Sequence, residues 1–288
     1  MHPTLSPHTL TYHDIVRTAL LEDLGGAGDL TTDAVVRNGA AAVCNIVFRR
    51  EGRLAGAEVA ASVFRLLDPA VEIAHLVTDG CDVAAGTSVL RLHGSARAVL
   101  TAERTALNLL GHLSGVATLT RAYVRAVAGT SARVVCTRKT TPALRNLEKY
   151  AVRCGGGANH RFGLDDAVLI KDNHLVIAGG IREAVERVRS AVGHMVKVEL
   201  EVDTLEQLEE GLEAGVDAVL LDNMDLETLR EAVRMVDGRC TTEASGGIDL
   251  ETAPAIAASG VDLLSVGALT HSAPSLDVSL EIEAVAAG

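Results

Sequence analysis

The stretch from Arg138 to His174 is crowded with cations. It holds Arg138, Lys139, Arg145, Lys149, Arg153, Arg161 and Lys171, with His160 and His174 among them. The chain as a whole is acidic, with 38 Asp and Glu against 26 Lys and Arg. A local basic concentration in an acidic chain needs an anion to explain it. Arg138 with Lys139, and then Lys171, directly follow short apolar runs, 133–137 and 167–170, that read as buried strands. Cations at the exits of parallel strands mark a site rather than a solvated face. Arg offers a planar fork to a carboxylate and Lys a point charge, so Arg138, Arg161 and Lys171 read as an anion clamp. Arg161 follows Gly155-Gly156-Gly157, a run that permits tight turns and close approach to a ligand.

The later apolar runs end on polar residues too. Glu199 and Glu201 are two apart and share a strand face. Asp222-Asn223, Glu243 with Ser245-Gly246-Gly247, and Ser265 with Gly267 and His271 follow. Glu201 and Asp222 have three readings. They bind Mg²⁺ directly or through water, face a developing positive charge on a substrate carbon, or form salt bridges to Lys139 or Lys171. Glu199 and Glu243 read as structural. Gly246, Gly247 and Gly267 offer backbone N–H groups at the last two exits, where barrels hold phosphate, pointed from a helix start. Arg145, Lys149 and Arg153 are spaced as a helical surface stripe pairing with Glu148 or acidic neighbours. Arg104 sits in an otherwise apolar helix and requires a partner, from Glu103 or another subunit.

These exits need a scaffold. Apolar runs at 133–136, 167–170, 196–200, 217–221, 240–244 and 261–266 alternate with helical patterns at 143–153, 179–192, 204–214, 225–236 and 249–259. The alternation predicts an α/β fold with an incomplete (β/α) barrel. A doubly wound sheet is the structural rival, weakened by the lack of a Gly-x-Gly-x-x-Gly after the first strand. Before it, residues 12–24 form a helix, capped onward by Asp29 or Thr31. Short β-like runs then surround a helix at 57–67. This predicts an N-terminal α/β sandwich domain over residues 1–107, with the barrel at 108–274. The tail 275–288 is expected to rejoin the first domain as a strand. Residues 95–128 read as helical, with a break at Ser114-Gly115.

Composition excludes other classes. A net charge of −12 argues against general nucleic-acid binding. No apolar run is long enough to span a membrane, and the opening residues lack a signal-peptide pattern. Five cysteines without a Cys-x-x-Cys read as reduced thiols of a cytoplasmic protein, with Cys154 beside the glycine run given a packing role. Hydrophobic residues at 48% with only 2% aromatics call for a core of Ala, Val, Leu and Ile.

At these residues the chain resembles the quinolinate phosphoribosyltransferase family. The stretches that carry the resemblance run nearly end to end: Glu22-Asp23 through Gly28-Asp29-Leu30-Thr31-Thr32, Glu103 to Asn108, Thr137-Arg138-Lys139-Thr140, Gly155 to Gly157 with Asn159-His160-Arg161, Ile170 to His174, Glu199 to Val202, Leu221-Asp222-Asn223, Glu243 to Ile248, and Gly267 to His271. No departure falls at a position the family uses for chemistry. The resemblance implies that quinolinate and 5-phosphoribosyl 1-pyrophosphate give nicotinate mononucleotide, pyrophosphate and CO₂, with Mg²⁺. It implies that Arg138, Arg161, Lys171 and His160 hold the quinolinate carboxylates, and that Lys139, Glu201 and Asp222 surround the ribose and pyrophosphate. Ser245, Gly246, Gly247, Gly267 and His271 would take the 5′-phosphate. A homodimer or higher oligomer is implied, with Arg104 reaching the neighbouring site. Two alternatives remain at this point: a paralogue acting on another acid, and a non-catalytic phosphate-binding barrel.

Overall fold

A computed structural model describes residues 7–286. Met1–Ser6, part of the opening read for a signal peptide, and residues 287–288 lie outside it. The first helix, α1 (His13–Leu24), stops at Gly25, whose φ of 52° lies in the left-handed half of backbone space. The next, α2 (Leu30–Val35), is capped by Asp29, whose carboxylate accepts the N–H of Thr32 at 2.9 Å. There follow β1 (Ala41–Phe48), β2 (Gly52–Arg53), α3 (Ala57–Leu67), β3 (Glu72–His75), β4 (Asp82–Val83) and β5 (Ser88–Ser95). Along α3, Ala57, Val59, Ala60, Ala61, Val63 and Phe64 are buried, which is how a core with few aromatics is filled.

The helix α4 (Ala96–Ala126) is continuous, and the break expected at Ser114-Gly115 is absent. Gly111 and Gly115, one turn apart, face the backbone of Pro274–Leu276, and a Cβ at either would collide with it. Leu276 N–H donates to the Gly111 carbonyl at 3.0 Å. The glycines serve close approach rather than helix termination. The expected division at residue 107 lies inside this helix.

Beyond it come β6 (Arg133–Val135), α5 (Arg145–Cys154), β7 (Val168–Ile170), α6 (Asp172–Ala178), α7 (Ile181–Ala191), β8 (Val198–Val202), α8 (Leu205–Glu213), β9 (Ala218–Asp222), α9 (Leu226–Val236), β10 (Thr241–Ser245), α10 (Ala253–Ala257), β11 (Leu263–Ser265), α11 (Ala268–His271) and β12 (Val278–Ala286). The chain divides into two compact units. One takes the described residues up to Arg121 with Thr140–Gly156 and those from Leu269 on. The other takes Ala122–Lys139 and Gly157–Ala268.

The first unit carries an antiparallel sheet in the order β12-β1-β5-β3 and a small β2-β4 ribbon. The tail strand β12 pairs along the whole of β1. In this unit α5 is not the surface stripe its spacing suggested, since Glu148 and Lys149 are fully buried. Glu148 accepts from the backbone N–H of Thr141 at 3.1 Å and lies 2.9 Å from His112 Nε2. The period was read correctly, but which face met the core was not visible in it. Cys154 is buried, and burial pushes its thiol up to about 12, which agrees with a packing role. All five cysteines are free.

The second unit carries a parallel sheet in the order β6-β11-β10-β9-β8-β7. Each strand from β7 to β11 lies beside the next in sequence, and β6 joins β11, so the winding keeps one direction. A doubly wound sheet reverses at a switch point, and this one does not. The ends β6 and β7 do not pair with each other, which makes the barrel incomplete. Asp217 ties β8 to β9. Burial alone would raise its carboxyl, but Lys197, the Val198 N–H and Arg189 hold it down at about 2 against an ordinary 3.8. Asp217→Asn is expected to cost about 1–2 kcal/mol at pH 7, the pKa difference discounted for solvent screening. The folded value lies below the unfolded one, so this contribution is present above pH 3.8 and lost as pH falls toward 2. Urea midpoints of wild type and variant should differ at pH 7 and converge only as pH falls to about 2. A gap that ignores pH would count against the charge as its source.

Candidate active site

Side chains alternate across a strand, so every second residue of the barrel faces inward. In register, Glu201 of β8, Leu220 of β9 and Glu243 of β10 form one lateral row, and Asp222 pairs beside Ser245 one layer nearer the strand ends. These inward residues, with Leu169 and Ser265, line a cavity of about 390 Å³ together with Thr137, Arg138, Lys139, His160, Arg161 and Lys171. The clamp read from sequence therefore converges: Arg138, Arg161 and Lys171 share one wall system with Lys139.

The loop from Gly157 to Ala167 carries His160 and Arg161. It begins as an added rung on β6, with Ala158 N–H donating to Val134 at 2.8 Å. It ends beside β7, where Arg161 Nη1 donates to the Ala167 carbonyl at 3.1 Å. Burial first, and the neighbouring Arg138 charge second, push the Arg161 guanidinium below its usual pKa, partly offset by Glu199 and Asp166. Arg161 remains charged, since guanidinium does not deprotonate in proteins. Its Nε is buried with no hydrogen-bond partner among the described residues. Two half-buried cations pressed together, one with an idle donor, are relieved by an anion.

Lys171 forms a close ion pair with Glu201 Oε2, the salt-bridge reading realised for that carboxylate. Asp222 instead accepts from the Asn223 side-chain amide at 2.7 Å. Asn223 has φ of +51°, and its N–H donates to the Ser245 carbonyl at 2.9 Å, pinning the two strand ends together. Gly246 follows with φ of +96°, where a Cβ would collide with the Asn223 side-chain oxygen; beside Gly247 the space is open. These glycines do not sit at a helix start, as expected from sequence, because α10 begins only at Ala253. Gly267 directly precedes α11, and His271 lies in the first unit with Nδ1 2.6 Å from Ser272 Oγ. Neither is among the lining residues of the cavity. Nor is His174: its Nδ1 accepts the Lys171 N–H at 2.9 Å and caps α6. Arg104 is exposed rather than buried. It lines a separate hollow of about 360 Å³ in the first unit with Asp23, Asp29 and Thr101, and makes no ion pair among the described residues.

The family model for the quinolinate phosphoribosyl transferase N-terminal domain matches residues 29–114, and that for the C-terminal domain matches residues 116–281. The chain belongs to the quinolinate phosphoribosyl transferase family. The probable nicotinate-nucleotide pyrophosphorylase (carboxylating) of Bacillus subtilis is 46% identical over 262 residues, covering 91% of this chain and 90% of that protein. The nicotinate-nucleotide pyrophosphorylase (carboxylating) of Mycobacterium leprae is 45% identical, over 93% of this chain and 96% of its own. Among solved structures, NadC from Streptococcus pyogenes superposes with a TM-score of 0.93 at 41% identity, covering 98% of each chain. In this quinolinate phosphoribosyl transferase the sequence places Ser265 at a strand exit and Thr137 beside Arg138, but its reading missed Leu169 and Leu220 as lining residues; Glu243, which reads as structural, also lines the cavity. Strict alternation from Glu201, Asp222 and Ser245 would have found Leu220 and Glu243.

Proposed function

We propose that the protein transfers the phosphoribosyl group of 5-phosphoribosyl 1-pyrophosphate to quinolinate with loss of CO₂, giving nicotinate mononucleotide and pyrophosphate for NAD biosynthesis. The observation that carries this reading is one cavity lined by Arg138, Arg161 and Lys171 beside Glu201 and Asp222. The three cations hold the two carboxylates of the diacid. Lys139 meets the pyrophosphate, and Ser245, Gly246, Gly247 and Gly267 take the 5′-phosphate. Leaving of pyrophosphate builds positive charge on ribose C1, as in glycoside cleavage. Glu201 and Asp222 face that charge. The pyridine nitrogen then bonds to C1 and becomes cationic. When the adjacent carboxylate departs as CO₂, its bonding pair stays on the ring carbon, stabilised by the nitrogen charge, and a proton replaces it. No separate decarboxylation cofactor is demanded, and the protein supplies position and field.

Mg²⁺ suits this donor set. Glu201 and Asp222 offer hard carboxylate oxygens at the strand ends, and Mg²⁺ is held by one or two carboxylates together with substrate phosphates. When bound, it neutralises charge on the departing pyrophosphate. We assign the protein to the cytoplasm from its cysteine usage; among the described residues, no helix is long and apolar enough to cross a membrane.

Purified protein given 5-phosphoribosyl 1-pyrophosphate, Mg²⁺ and quinolinate should release nicotinate mononucleotide, pyrophosphate and CO₂. Equal turnover of nicotinate, or turnover of nicotinate alone, would overturn the substrate. Arg104 completes the site of a neighbouring subunit in a homodimer or larger assembly. Arg104→Ala and Arg138→Ala variants, each inactive alone, should therefore regain roughly a quarter of wild-type activity after equal random mixing, since half the dimers are mixed and one of two sites in each is whole. No recovery in subunit-exchanged mixtures would mean that Arg104 serves its own chain.

A further inference from the structure

We infer that His160 is a positioning residue: Glu199 holds it in the tautomer protonated at Nε2, and its Nδ1 holds the backbone of Arg161 so that the guanidinium meets the substrate. This rests on the function proposed above and assigns a task to a buried group that it leaves idle, Glu199.

Arg161 lies on a loop, and its backbone N–H has no strand ladder to join. It donates instead to Nδ1 of the residue before it, His160, at 2.7 Å. A ring nitrogen that accepts an N–H carries no proton, so the neutral imidazole must carry its proton at Nε2. That atom lies 2.8 Å from Glu199 Oε2 and 3.6 Å from Glu243 Oε1. Both carboxylates stand on the barrel wall, on β8 and β10, and both are buried. A rigid strand thus fixes the imidazole, and the imidazole fixes the loop. The neighbouring N–H groups of Phe162 and Gly163 are tied in turn to the Asp166 carboxylate at 2.6 and 3.0 Å. The Arg161 side chain is anchored at one end only, through Nη1 to Ala167, while its Nε stays unpaired among the described residues.

The donor atoms of His160, Glu199 and Glu243 lie within 4.8 Å of one another, a spacing a metal ion could use. The Nδ1 contact argues against it. With Nδ1 accepting, a free lone pair at Nε2 would require an imidazolate. The cluster is a hydrogen-bonded post, and His160, though on the cavity wall, spends both ring nitrogens on the protein.

Two measurements test this. The first is the tautomer, read from ¹⁵N shifts of histidine-labelled protein without ligand, with the resonance assigned by His160→Gln. Unprotonated Nδ1 with protonated Nε2 is expected, and a proton on Nδ1 would overturn the inference whatever the substrate proves to be. The second is a double-mutant cycle on quinolinate affinity. In the wild-type background His160→Ala should weaken binding about tenfold, the scale of a misplaced contact group. In the Arg161→Ala background the same change should cost less than about twofold, because coupled residues are not additive. Equal losses in both backgrounds would mean that His160 touches the substrate itself. His160→Asn, whose amide oxygen can take the place of Nδ1, should recover part of the lost affinity, which a merely structural defect would not. Wild-type protein that binds no quinolinate would defeat the function and leave the tautomer test standing.

Discussion

Glu201→Gln should lower kcat for quinolinate turnover by about a hundred- to a thousandfold, the range for removing one preorganised group that faces transition-state charge. The substitution keeps the shape of a side chain that is only 16% exposed. It removes the negative charge that offsets the growing cation at ribose C1. It also frees Lys171 from its ion pair. A cation released from a carboxylate binds a dianion no worse, so KM for quinolinate should hold or fall. This split separates two roles for Glu201. If it acts on the transition state, kcat falls and KM does not rise. If it only holds Lys171 in place, KM rises and kcat is spared. Steady-state kinetics at saturating 5-phosphoribosyl 1-pyrophosphate distinguishes them, and the second pattern would remove Glu201 from the chemistry.

Arg161→Ala should weaken quinolinate about ten- to a hundredfold, from the roughly 1.5–3 kcal/mol of a hydrogen bond to a charged group. Two opposing effects decide the size. Deleting the guanidinium relieves the crowding between Arg161 and Arg138, which lowers the gain. The same crowding means that the diacid neutralises two half-buried cations at once, which raises it. Inside a partly desolvated cavity the second effect is the larger. Arg161→Lys should restore less than half of the lost free energy, because a point charge cannot supply the Nε donor of the fork. A change below twofold in both KM and kcat for Arg161→Ala would refute the clamp.

Much of this site was legible because it follows from two periodicities. An apolar run that ends on a polar residue, repeated between helices, locates the strand exits, and Arg138, Lys139, Lys171, Glu201, Asp222 and Ser245 all lie where those exits were read. Depth along a strand was legible only in part: Glu199 read as structural and Glu201 as a site group, but the partner of each was not visible. Glu199 and Glu201 share a face, yet one meets His160 in the interior and the other meets Lys171 near the mouth. Local capping was also hidden. Lys171 to His174 read only as a strand exit, whereas His174 turns back onto the Lys171 N–H and starts α6. Long-range contact was the third blind spot. Gly115 read as a helix break because nothing nearby in sequence shows that the chain at Pro274 presses against it. The burial of Glu148 and Lys149 has the same cause, since their surroundings come from distant residues such as His112.

A crystal structure with quinolinate bound tests the central claim most directly. Its two carboxylates should lie within hydrogen-bonding distance of Arg138, Arg161 and Lys171, with the ring nitrogen turned toward the space between Glu201 and Asp222. A diacid seated elsewhere, with those three side chains turned to solvent, would contradict the account.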